Sequence, residues 1–198
     1  MKYFLSAILL AFLLFWGCEQ SSDPLTGPNS TLDKSTISSN DLSNKVYSMI
    51  TLPNRSPIFQ DSVFQVSKVI NGLFGGSVIL NKTYISENGK LVTMLVNLEI
   101  PPLAFTGNKN IVLTIDSCFA AVQCEPGMRF RLPLIMTQTF TGLNLKGHNA
   151  GDINFVYIKD NGGIEEIPFS IKVVEPLTGT LSVIGAQIPH FSRYGWVR

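Results

Sequence analysis

His190-Phe191-Ser192 is the one place in this 198-residue chain where a base and a hydroxyl nucleophile fall at useful spacing. Residues i and i+2 of a strand point to the same face, so the His190 imidazole is placed to take a proton from the Ser192 hydroxyl. The freed oxygen would attack the carbonyl carbon of Phe191, converting that amide to an ester that water then cuts. Such a cut also needs a strained peptide and oxyanion donors. The plainer reading has His190 hydrogen-bonded across the core and Ser192 satisfying a backbone group. Only residues 192–198 lie downstream, so cleavage would release no separate domain.

Other chemistry-bearing residues are sparse. The chain has two histidines, and the second, His148, sits in Lys146-Gly147-His148-Asn149, where a loop residue is expected rather than a ligand. Asp152, Asp160 and Asn161 lack the alternating spacing of a calcium loop. Glu165 and Glu166 are adjacent and would point to opposite faces of a strand, a poor arrangement for a paired acid and base. No Walker-type loop, HExxH or GxSxG stretch occurs. No metal and no cofactor is expected. Tyr157, Tyr194 and Trp196 are candidates for an exposed aromatic platform that would bind glycan, with packing in the core as the alternative.

The N-terminus places a cation, Lys2, before an apolar run over 3–16 that only Ser6 interrupts. Fourteen helical residues at 1.5 Å each reach ~21 Å, short of a ~30 Å hydrocarbon core, so a signal peptide fits better than a spanning anchor. Gly17 and Cys18 follow, and then the polar Glu19-Gln20-Ser21-Ser22-Asp23-Pro24. This juncture resembles the lipobox of bacterial lipoproteins, with Phe15 and Trp16 where that family prefers Leu and a small residue. The resemblance implies acylation of the Cys18 thiol (a diacylglyceryl group and a further chain such as palmitate), then cleavage before it. Several acyl chains at ~0.8 kcal/mol per buried CH₂ would make the attachment effectively permanent.

The whole chain has 15 basic and 14 acidic residues. Loss of residues 1–17 removes only Lys2 and leaves a neutral protein. A nucleic-acid partner is therefore not expected, because such proteins carry a basic excess. Export is compatible with a disulfide, and Cys118 and Cys124 are separated by five residues. A local bridge between them is expected, contributing about 2 kcal/mol, with free thiols as the alternative. A metal pair would need two further ligands.

Several elements must position these groups. Residues 20–44 are rich in Ser, Thr, Asn, Asp, Pro and Gly without a period of 2 or 3.6, and read as a flexible tether. Short apolar runs then alternate with turn residues. Strands are expected at 46–52, 63–70, 75–80, 91–100, 111–115, 130–136, 153–159, 164–169, 171–174, 181–184 and 191–197. The clearest is 91–100, where Val92, Met94, Val96, Leu98 and Ile100 share one face and Pro101-Pro102 stops the run. Asn88-Gly89 reads as a type I′ hairpin turn, and Asp160-Asn161-Gly162-Gly163 as a second hairpin tip. No window after Cys18 carries a helical stripe. The expected fold class is all-β, an antiparallel β-sandwich in one domain.

Gly75-Gly76-Ser77-Val78, Leu98-Glu99-Ile100-Pro101-Pro102-Leu103-Ala104-Phe105 and Ile111-Val112-Leu113-Thr114-Ile115 together resemble the opening of a ZU-type domain. This is the β-sandwich of ankyrins, netrin receptors and tight-junction proteins. Pro126-Gly127-Met128-Arg129-Phe130 resembles its next block, and Thr141-Gly142-Leu143-Asn144-Leu145 and His190-Phe191-Ser192-Arg193-Tyr194 its last. The likeness runs from about residue 62 to the end, with Leu103 where the family has Gly and the Cys118–Cys124 segment as an insertion. It implies an interaction or structural module, usually without catalysis, although some members cut themselves between the Phe and Ser of this tripeptide.

These readings give a signal peptide at 1–17, a lipidated Cys18 with a tether at 18–44, and a sandwich at 45–198. The function expected is a non-enzymatic, lipid-anchored cell-envelope protein, on the outer membrane by analogy with sorting that follows a residue such as Glu19. Its partners would be the membrane, through Cys18, and another envelope protein or a glycan. The alternatives are a carbohydrate-binding surface lipoprotein and a domain that cleaves itself between Phe191 and Ser192.

Overall fold

In the segment 91–100 burial alternates residue by residue, with Val92, Met94, Val96, Leu98 and Ile100 all buried and Leu91 and Leu95 exposed on the other face. The computed structural model describes residues 47–56 and 64–198. Cys18, the apolar run and the tether lie outside them. Among the described residues the strands are β1 (Gln65–Asn71), β2 (Gly76–Ile85), β3 (Leu91–Ile100), β4 (Asn108–Ile115), β5 (Ala121–Glu125), β6 (Arg129–Thr141), β7 (Asn154–Ile158), β8 (Ile164–Glu166), β9 (Ile171–Glu175), β10 (Thr180–His190) and β11 (Arg193–Val197). A single 3-10 turn at Ala150–Asp152 is the only helical piece in the same residues.

The strands form two antiparallel sheets, one ordered β1-β4-β5-β11-β7-β8 and the other β2-β3-β6-β10-β9. The fold is the β-sandwich that the periodicity indicates. The facing sides of the two sheets form one continuous apolar cluster, and the six-stranded sheet buries a second, smaller one (Ala121, Val156, Ile158 and Val197) on its outer face. Met94, Leu98, Leu134, Met136 and Phe140 come from the five-stranded sheet, and Ile111, Leu113, Phe155, Tyr194 and Trp196 from the six-stranded sheet. Area removed from water at roughly 25 cal/mol per Å² makes the larger cluster the principal stabilising contribution. One polar tie crosses it: the Trp196 indole donates to Gln138 Oε1 at 2.7 Å.

Several boundaries differ from expectation. In place of a strand at 46–52 there are isolated bridges, Met49 to Val197 and Thr51 to Phe119, so this segment lies along β11 without a continuous ladder. The β2–β3 turn is not the two-residue type I′ form. Ser86 and Lys90 close it (Ser86 N to Lys90 O, 2.8 Å), with Gly89 at φ 72° as the last of three loop residues. The expected strand at 164–169 ends at Glu166, and Pro168 beyond it has no N–H to add to a ladder.

The largest difference concerns the cysteines. The segment read as a disulfide-closed insertion contains β5, which pairs with both β4 and β11. Cys124 is a free thiol, fully buried, and lies opposite Leu113 in the register. The expected Cys118–Cys124 bridge is therefore not formed. A disulfide needs its Cα atoms within ~7 Å, and a strand rising ~3.3 Å per residue carries Cys124 away from the loop that holds Cys118. Asp116 organises that loop, accepting from Cys118 N (2.8 Å) and Phe119 N (2.9 Å) while its other oxygen binds Arg193.

Candidate functional site

The tripeptide His190-Phe191-Ser192 is the corner at which the chain leaves one sheet and joins the other. His190 ends β10 opposite Arg129 of β6, and Arg193 opens β11 opposite Gln123 of β5. Between them Phe191 N donates to Met128 O at 2.8 Å, and Ser192 O accepts from Cys124 N at 2.8 Å. Both backbone bonds pin the corner to the β5–β6 segment. The Phe191 ring is buried and meets Phe130 edge-on at 4.7 Å. Its packing explains why a large apolar residue stands at a sheet-to-sheet corner.

The His190 ring turns towards the tyrosines. It meets Tyr157 edge-on with centroids 4.6 Å apart, and its Nδ1 lies 3.4 Å from Tyr194 Oη. That hydroxyl donates to the His190 carbonyl at 2.6 Å. Burial pushes the Tyr194 phenol far up from its ordinary range, so it is a fixed donor at neutral pH. No hydrogen bond joins His190 to Ser192 among the described residues. The base and the hydroxyl that sequence spacing pairs are therefore adjacent but not joined, because the alternation that would align them applies to a continuous strand and fails at a bend.

Beside Ser192 the surface is concave, with a cleft of about 370 Å³. Asn110 of β4, Gln123 and Glu125 of β5, Asp160 of the β7–β8 turn and Ser192 supply its polar wall. The arrangement offers carboxylate, amide and hydroxyl groups to a small polar solute. Among the described residues no group of three or more His, Cys, Asp or Glu is placed to hold a metal ion. Asn110, Gln123 and Glu125 carry no sequence signal, because they come together only through the β4–β5 pairing.

The aromatic platform is not present. Tyr194 and Trp196 are fully buried in the core and Tyr157 is half-buried, edge-on to His190 and tilted against Tyr194. In β11 the inner face takes Tyr194 and Trp196 as large apolar bodies with one polar atom each, and each polar atom is satisfied internally. His148 lies in a loop with its Nδ1 3.5 Å from Arg198 Nη1.

No family model, no curated protein and no solved structure matches the chain.

Proposed function

We propose that this protein is a lipid-anchored component of a bacterial cell envelope, on the outer membrane, whose β-sandwich is a binding or structural module of ZU-like type rather than an enzyme. The reading rests on the order of the parts. An apolar run too short to span a membrane ends at Gly17-Cys18, a polar stretch follows, and the sandwich comes last. Acylation at Cys18 would hold the sandwich at the bilayer by hydrophobic transfer of the lipid, which requires no net charge on the domain. The turn of the His190 ring towards Tyr157 and Tyr194 favours the non-catalytic reading over self-cleavage, and the burial of Tyr194 and Trp196 counts against an aromatic glycan platform.

One mass spectrum of the protein from a bacterial host fed labelled palmitate tests both parts. The expected product begins at Cys18, carries label, and retains residues 192–198. Cys18→Ser should lose the label. A wild-type chain without lipid refutes the anchor, and one ending at Phe191 refutes the non-catalytic reading.

A further inference from the structure

Two loops at one end of the sandwich expose large apolar side chains. The β1–β2 loop presents Leu73 and Phe74, which are 54% and 76% exposed, and the β3–β4 loop presents Leu103 at 55%. The loops are one unit. Leu103 N donates to Gly72 O at 2.8 Å and Gly72 N to Gly107 O at 2.9 Å. A Cβ on Gly75 would lie 2.3 Å from Ile100 O, so only glycine permits this approach. Leu103 holds a φ of 69°, a region that leucine disfavours. Neither burial nor backbone preference selects leucine at this position.

The N–H groups nearest the exposed side chains are bonded within the protein. Leu73 N donates to Asn71 Oδ1 at 2.9 Å, and Phe74 N and Gly75 N donate to Asn71 O at 3.2 and 2.9 Å. Pro101 and Pro102 have no N–H, and Ala104 N donates to Pro101 O at 3.3 Å. With the two bonds above, each N–H over 72–75 and 101–104 is either paired within the protein or absent. Donors already paired lower the cost of moving this segment out of water. The strands that end at or adjoin the tip bear Lys68, Lys109, Arg129 and Arg131, all exposed, against the carboxylate of Glu99. Glu125, opposite Val112 in the register, and Asp160 line the cleft.

From protruding apolar side chains, internally paired N–H groups and a cationic surround, we infer that this tip inserts into an anionic phospholipid surface. A convex tip suits a fluid bilayer, which conforms to it, and the cations meet the headgroups once the leucines and phenylalanine enter the acyl boundary. The tip is at the opposite end of the sandwich from Ser48 and Arg198, which pair with each other beside the end of β11. It is thus a membrane contact separate from anything the N-terminus does, and it does not depend on acylation of Cys18.

The test uses the full chain carrying Phe74→Trp with vesicles of phosphatidylcholine and phosphatidylglycerol whose acyl chains are brominated. The parent chain has Trp16 and Trp196, so the difference between the two chains reports position 74. Emission from the introduced indole should shift to the blue and be quenched by the bromine. Adding Leu73→Ser and Leu103→Ser, both at exposed positions, should abolish the quenching without changing the thermal midpoint. Emission that stays solvent-like and unquenched overturns the inference, as does equal quenching in vesicles of phosphatidylcholine alone. Palmitate labelling reads the Cys18 anchor independently, so either failure is recognisable by itself.

Discussion

Gln138 stands in the apolar phase of β6, between Met136 and Phe140, and is fully buried. Its Oε1 accepts from the Trp196 indole, while its Nε2 has no hydrogen-bond partner. A polar residue in that phase is visible in the sequence, but its partner lies 58 residues away and is fixed only when the sheets close. Replacing Gln138 by Leu leaves the indole N–H buried without an acceptor and should cost about 1–3 kcal/mol. Trp196→Phe removes the donor, so the double variant should lose about 1 kcal/mol less than the two single losses together. Urea unfolding of the four proteins measures this, and strict additivity would show that the bond carries no coupling. At Cys124 the signal misled, because spacing between two thiols says nothing about a strand between them.

Strand β11 lies between β5 and β7 inside the six-stranded sheet and includes a glycine that packing requires. A Cβ on Gly195 would lie 2.5 Å from Ala121 Cβ and 2.8 Å from Ala120 O. Because one contact is backbone, the strands must separate to admit a methyl group. Gly195→Ala should therefore destabilise by about 1–3 kcal/mol, against the small gain alanine usually brings. Chemical denaturation checks this, and an unchanged or raised midpoint would contradict the register of β5 on β11. The same pairing explains why β5 was illegible in the sequence. Phe119-Ala120-Ala121-Val122 is apolar without alternation, and both Ala121 and Val122 are buried because β5 is an interior strand with cover on its outer face. In β3, by contrast, one face looks to solvent, and both ends of the strand match the expected ones.

For the molecule as a whole, pH should act through groups that the fold keeps protonated. Burial pushes the Tyr84 phenol up to about 12, against a smaller downward pull from the Arg55 guanidinium. Burial also raises the Tyr194 phenol and the Cys124 thiol. The folded chain therefore holds protons that the unfolded chain releases, so stability is fully present below the ordinary thiol and phenol range and falls as pH rises from about 9 towards 12. Thermal midpoints across that range should decline, and a midpoint that climbs would contradict these burials. What the sequence determined alone was fold class, because alternation of apolar residues is local and each strand with one wet face declares which side is buried. It also determined where β3 stops, since two prolines cannot continue a ladder. Tertiary structure decided which distant groups meet: that His190 turns to Tyr157 and Tyr194, that Cys124 faces the core, and that Leu73, Phe74 and Leu103 share one tip. Those outcomes depend on sheet order and on the closure of two layers, which are interactions between segments far apart in the chain and leave no periodic trace along it.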